Sequence, residues 1–209
     1  MLLGAWVKVE ASVEALDIGT GTGMIALMIA QRNPSVVIDA IEIDEASAMN
    51  ASNNAANSPW SKRITVFNQD LQSFPQTKQY DLIVSNPPYF LAGTSAPIKR
   101  KHQSRHATSL PFLDLIKSVQ ILLKEEGRFS LILPVIEGNI FIEMAEAHGL
   151  FLKRLTTVYS KEEKPAERLL MELGKTRHTQ IEESSLIIQE GERHEYTAAY
   201  KKLTKDFYL

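Results

Sequence analysis

The sequence predicts an α/β fold, a doubly wound and mostly parallel sheet of seven strands ending in an antiparallel hairpin. Apolar runs rich in Val, Ile and Leu alternate with segments of helical period along most of the chain. Such alternation implies a parallel sheet covered on both faces. A glycine-rich turn falls where the first strand hands over to a helix, as in ligand-binding sheets of this kind. The last two strand-like runs are separated only by the polar stretch from Ser160 to Pro165, so they are expected to pair as a hairpin.

The elements follow in order. Strands are expected at 14–18, 36–43, 64–68 and 80–85, with helices at 24–32 and 45–57. Asp44 stands where the second of these helices needs an N-cap, and that reading keeps it out of the expected site. The second half continues with a helix at 111–124, a strand at 127–133, a helix at 137–148, and strands at 150–159 and 168–174. Residues 176–183 read as a polar loop, 184–189 as compatible with an edge strand, and 197–207 as a short terminal helix.

Composition narrows the function. The 209 residues are 44% hydrophobic and 23% charged, the balance of a globular domain, and one domain spanning 1–209 is expected. There is no apolar run of the ~18 residues that a membrane span needs, and the start lacks the flank of a signal peptide. A cytoplasmic monomer is expected. With no cysteine, thiolate chemistry is excluded, and the histidines (His102, His106, His148, His178, His194) do not fall in zinc-ligand spacing, so no metal is expected. A net charge of −2 argues against a protein that coats nucleic acid but leaves room for a local basic patch.

The turn is Asp17-Ile18-Gly19-Thr20-Gly21-Thr22-Gly23. Glycines at alternate positions permit a tight turn and close backbone approach to a ligand. The Gly-Lys-Ser/Thr ending of a phosphate loop is absent and the dinucleotide spacing is not met, so Gly19, Gly21 and Gly23 after an acidic residue fit S-adenosylmethionine better. Asp17 is expected to accept from the amino-acid end of that cofactor or from a water holding it. Glu42, at the end of the second strand, is expected to grip the ribose hydroxyls. Asp70 is expected to take the adenine amino group with Leu71 on the ring, against the alternative that Asp70 is a turn residue.

The fourth strand runs into Asn86-Pro87-Pro88-Tyr89. Two prolines remove two amide donors and hold the chain extended, leaving the Asn86 and Pro87 carbonyls outward. This suits methyl transfer to a planar amine, whose lone pair is delocalised. Acceptance from the amino group by the Asn86 side-chain oxygen and the Pro87 carbonyl favours a pyramidal nitrogen and stabilises its developing charge, with no titrating base. Tyr89 can stack on the flat substrate and favour the nearby cation. Asn86 also borders the cofactor and is counted among its ligands.

The acidic-glycine loop together with Asn86-Pro87-Pro88-Tyr89 resembles the amino-group methyltransferases of the Rossmann-like class I fold. Release-factor glutamine methyltransferases and DNA adenine methyltransferases are alternatives that the tetrapeptide alone does not separate. Beyond it, Pro88, Tyr89 and Phe90 are expected to face the substrate, followed by the cationic run Lys99, Arg100, Lys101 and Arg105, expected to attract phosphates. Lys161, Lys164 and Arg168 flank a turn taken to be distal and are left outside that surface.

The chain is most similar to the bacterial tRNA adenine-N6 methyltransferases that act on the adenine following the anticodon of a valine tRNA. Leu2-Leu3-Gly4-Ala5-Trp6, the run from Ala26 to Arg32, Ser58-Pro59-Trp60 and the ending from Thr204 to Leu209 carry that resemblance. It implies S-adenosylmethionine as donor and adenine 37 of tRNA1(Val) as acceptor, a base already in a loop and so less costly to turn out than one in a duplex. It also implies a further N-terminal segment, including a Gly-Thr-Asp before Leu2. This chain begins inside that motif, so an incomplete cofactor lid and weak cofactor binding are expected.

Overall fold

In the computed structural model, residues 1–87, 112–191 and 195–207 are described. The strands are β1 (Glu14–Ile18), β2 (Val37–Glu42), β3 (Ile64–Asn68), β4 (Tyr80–Ser85), β5 (Leu123–Pro134), β6 (Phe151–Tyr159), β7 (Ala166–Gly174) and β8 (Glu182–Ile187). They form one sheet in the order β3-β2-β1-β4-β5-β7-β6-β8. β1 to β5 are parallel, and β7 runs antiparallel between β5 and β6. The chain winds outward from β1 to β3, then crosses back to β4 on the other side of β1. The crevice between the carboxyl ends of β1 and β4 is therefore the switch point where sheets of this kind bind ligands.

The helices are α1 (Leu2–Trp6), α2 (Met24–Arg32), α3 (Glu45–Ala56), α4 (Phe112–Leu122), α5 (Val135–Ala147) and α6 (Ala198–Thr204). Two apolar clusters lie on the two faces of the sheet. One joins Leu16, Ile83, Phe129 and Leu131 to α4 and α5 through Leu115, Val119 and Phe141. The other joins Ala15, Ile38, Val84 and Leu170 to α1 and α2 through Leu3, Trp6, Ala26 and Ile29. Burial from both sides explains why the central strands are continuous apolar runs. Asp44 caps α3 by accepting from Ser47 N at 2.9 Å.

Three sequence expectations change. The sheet has eight strands, not seven: β8 pairs in parallel with β6. Being an edge strand with only Leu186 buried, it lacks the apolar signal of an inner strand. The short helix α1 was not anticipated, since five residues are too few to show a helical period. The turn between β6 and β7 is not distal. Arg168 of β7 pairs with Pro134 at the carboxyl end of β5, so residues 160–165 lie on the same edge as the glycine turn and the end of β4.

Candidate active site

The pairing register fixes the centre of the site. Ile18, the last residue of β1, lies opposite Ser85, the last of β4, and opposite Ile41 of β2. The next residues on the two inner strands are Gly19 and Asn86, side by side at the mouth of the crevice. Ser85 is buried and its hydroxyl donates to the Ile18 carbonyl at 2.9 Å, tying the two strand ends together. Asn86 is exposed beyond that tie, and Pro87 is buried behind it.

The glycine turn is held from two sides. The Ile41 carbonyl accepts from Gly19 N at 2.9 Å and from Thr20 N at 3.0 Å. Glu42 reaches over from β2: one carboxylate oxygen accepts from Gly21 N at 2.8 Å and the other from Asp44 N at 3.0 Å. From within, Asp17 Oδ2 accepts from the Thr20 hydroxyl at 2.6 Å and from Ala26 N, in the first turn of α2, at 3.2 Å.

Glycine is required here by conformation. Gly19, Gly21 and Gly23 have φ of +69°, +58° and +81°, the left-handed region that side chains disfavour. A Cβ built on Gly19 or Gly21 would meet no atom within 4 Å, so both face open space, whereas one on Gly23 would press on Ala51 at 3.3 Å. The backbone thus offers a bare, concave surface to a ligand.

Asp17 is the electrostatic anomaly. Its carboxyl is fully buried and is pushed up to about 6, chiefly by burial; the Thr20 and Ala26 hydrogen bonds oppose this, and the charge of Glu42 adds to it. Its second oxygen, Oδ1, is buried without a partner among the described residues. An unsatisfied buried acceptor beside an open glycine turn fits a ligand bearing a donor or a cation. The amino-acid end of S-adenosylmethionine is such a ligand.

Of the remaining cofactor candidates, Asp70 is half-buried and caps a short turn, accepting from Gln72 N at 3.1 Å. The turn-residue alternative is therefore realised by one of its oxygens. Leu71 is 5% exposed and belongs to the core cluster beneath α4. Pro88, Tyr89, Phe90, Lys99, Arg100, Lys101 and Arg105 lie outside the described residues. Sequence reasoning passed over Thr20 and Ser85, which tie the turn and the strand ends together. A hydroxyl residue directly beside each motif was the available signal.

Residues 1–133 match the model of the methyltransferase small domain. The tRNA1(Val) (adenine(37)-N6)-methyltransferase of Dyadobacter fermentans is 41% identical over 210 residues, taking in 100% of this chain and 88% of the relative. The protein of the same name from Bacteroides thetaiotaomicron is 40% identical with the same coverage. Among solved structures, a protein described as a predicted O-methyltransferase from Agrobacterium tumefaciens superposes with a TM-score of 0.72 at 20% identity, covering 98% of this chain and 94% of that one. A ribosomal protein L11 methylase from Lactobacillus delbrueckii gives 0.61 at 18%, covering 85% and 77%. The latter two share the fold. By its match to the small-domain model and its full-length identity to the named relatives, the chain belongs to the tRNA1(Val) (adenine(37)-N6)-methyltransferase family.

Proposed function

We propose that this chain transfers a methyl group from S-adenosylmethionine to N6 of adenine 37 in tRNA1(Val), acting as a cytoplasmic monomer of one catalytic domain. The observation that carries the reading is the register that sets Asn86 beside Gly19 at the switch point, an amide acceptor next to a cofactor turn. Family membership supports the choice of an RNA adenine over a glutamine side chain or a DNA base. Among the described residues no helix is long and apolar enough to cross a membrane.

Asp17, Gly19, Gly21, Gly23, Glu42, Asp70, Leu71 and Asn86 hold the cofactor, which supplies an electrophilic methyl on a sulfonium. Asp17 takes the amino-acid end with Oδ1. Glu42, already fixed by Gly21 and Asp44, keeps lone pairs for the ribose hydroxyls. Asn86 and the Pro87 carbonyl accept from the adenine amino group and favour a pyramidal nitrogen, while Tyr89 stacks on the base. Pro88, Phe90, Lys99, Arg100, Lys101 and Arg105 complete the substrate side, the cations on phosphates. As the N–C bond forms the S–C bond would break and leave a neutral thioether, and the amino proton would then pass to solvent water from a nitrogen made acidic by its new charge, so no strong base is needed.

The test is transfer of tritiated methyl to transcripts of tRNA1(Val) by the purified protein, followed by nuclease digestion. N6-methyladenosine at position 37, lost when that base is replaced, is expected. Label on a release factor or duplex DNA, with none on tRNA, overturns the proposal.

A further inference from the structure

We propose that Thr20 is a positioning residue for the cofactor site: its hydroxyl fixes Asp17 in the orientation that ties the glycine turn to the first turn of α2. The inference rests on reading this turn as the S-adenosylmethionine site. In Gly19-Thr20-Gly21-Thr22-Gly23 the two threonines look equivalent, but the fold separates them. Thr22 is exposed, whereas Thr20 is 7% exposed. Each polar group of Thr20 is engaged within the protein. Its amide donates to the Ile41 carbonyl at 3.0 Å, its carbonyl accepts from Gly23 N at 2.9 Å, and its hydroxyl donates to Asp17 Oδ2 at 2.6 Å. With its hydroxyl proton committed to Asp17, Thr20 shapes the turn that the cofactor meets.

The 2.6 Å contact has the length of a hydrogen bond to a charged acceptor. It is the shorter of the two that Asp17 receives, the Ala26 amide standing at 3.2 Å. Among the described residues no other group around Asp17 favours the charge. The positions paired with Asp17 are Ala40 on β2 and Val84 on β4, α2 offers only the Ala26 amide, and the charged group acting on Asp17 is Glu42, of like sign. Without the Thr20 hydroxyl, burial and Glu42 face one longer hydrogen bond. Asp17 then takes up a proton at higher pH, the Ala26 amide loses its ionised acceptor, and the carboxylate is lost to a cationic ligand.

The experiment measures the S-adenosylmethionine dissociation constant by calorimetry between about pH 5.5 and about pH 8.5 for the unmodified chain, Thr20→Val and Thr20→Ser. The unmodified chain is expected to lose affinity as the pH falls through about 6. Thr20→Val moves that midpoint up by about one pH unit, making binding about fivefold weaker near pH 6 and recovering above about pH 8. Thr20→Ser, which keeps the hydroxyl, follows the unmodified chain. A uniform loss at every pH, or no change, overturns the inference. Carbon NMR of the Asp17 carboxyl in ligand-free protein, with Thr20→Ala as a second variant, reads the same midpoint without the cofactor. If the unmodified chain binds no S-adenosylmethionine, the cofactor reading fails by itself. The ligand-free titration still decides whether Thr20 holds Asp17, and an unmoved midpoint overturns that.

Discussion

Asp17 carries a charge where the fold resists one, so in the proposed cofactor role its effects on stability and on function run in opposite directions. Its folded carboxyl sits at about 6, above the ordinary 3.8. Between those values the folded state binds the proton and the unfolded state does not, so folding stability from this group rises as the pH falls through about 6 toward 3.8. Keeping it ionised at neutral pH costs on the order of 3 kcal/mol. Asp17→Asn is therefore expected to keep or raise the thermal midpoint while weakening S-adenosylmethionine binding on the order of tenfold or more, read by melting and calorimetry on one sample. A drop in melting temperature would show that the carboxylate stabilises the turn more than its burial costs. Asn86, across the same crevice mouth at the end of β4, is proposed to act on a different quantity. Asn86→Ala is expected to lower kcat by about 10²- to 10³-fold, with a much smaller change in cofactor affinity, in single-turnover methylation of tRNA. The glycines and Asp17 could be read from the sequence because their spacing is a backbone requirement, visible without neighbours. Thr20 and Ser85 had only their place beside the motifs as a signal, because a buried hydroxyl and an exposed one are the same letter.

The smallest helix shows how far local signals reach. Beside Leu3 in the core, α1 contributes Trp6, and the sheet supplies what holds it. The Arg154 guanidinium stacks on the Trp6 ring at 3.5 Å, and the indole Nε1 donates to the Thr156 hydroxyl at 2.9 Å. Arg154 is itself held by Glu172 at 3.0 Å, both being under 10% exposed. At the same C-terminal end of the helix, Arg32 of α2 donates to the Gly4 and Val7 carbonyls at 2.9 and 2.7 Å. Glu172→Ala leaves a buried guanidinium without its counter-charge, and a loss of about 3–5 kcal/mol is expected in urea melts. Arg154→Met with Glu172→Leu should recover most of it, since removing both charges abolishes the desolvation cost as well as the attraction. If the double variant is no more stable than Glu172→Ala, the pair is holding α1 by stacking on Trp6 rather than by charge balance. None of this network is local in sequence, and five residues show no helical period, so α1 escapes the periodicity reading, while the central strands, buried on both faces, declare themselves as apolar runs. β8 shows in the sequence only as a compatible edge strand at 184–189, because its first residues, Glu182 to Ser185, are polar and exposed.

At the scale of the whole molecule the topology gathers chemistry on one edge, and the charge decides which part of that edge meets RNA. The carboxyl ends of β1, β2, β4 and β5 and the β6–β7 turn all face the same way. The net charge of −2 gives no general attraction for a polyanion, so binding must come from local clusters. Two candidates stand on or follow this edge. The β6–β7 turn mixes Lys161, Lys164 and Arg168 with Glu162, Glu163 and Glu167, and these cancel. The stretch from Lys99 to Arg105 carries four cations with no acidic residue among them and begins ten positions after Tyr89 in sequence. If phosphates of the anticodon loop are neutralised by that run, each contact releases counterions, and the affinity falls with salt in proportion to their number. Replacing Lys99, Arg100, Lys101 and Arg105 by alanine should then flatten the log–log salt dependence of tRNA binding by up to about three, at ~0.7 to 0.9 per phosphate. Lys161→Ala with Lys164→Ala should change it by less than about one, in fluorescence anisotropy titrations with labelled tRNA1(Val). The quadruple variant should still place its methyl on adenine 37 when tRNA is saturating, because phosphate contacts position the substrate and base contacts select it. Should the two turn lysines carry the larger slope instead, RNA would lie across the β5-β7-β6 side of the sheet, and the cationic run after Tyr89 would be a solvated surface.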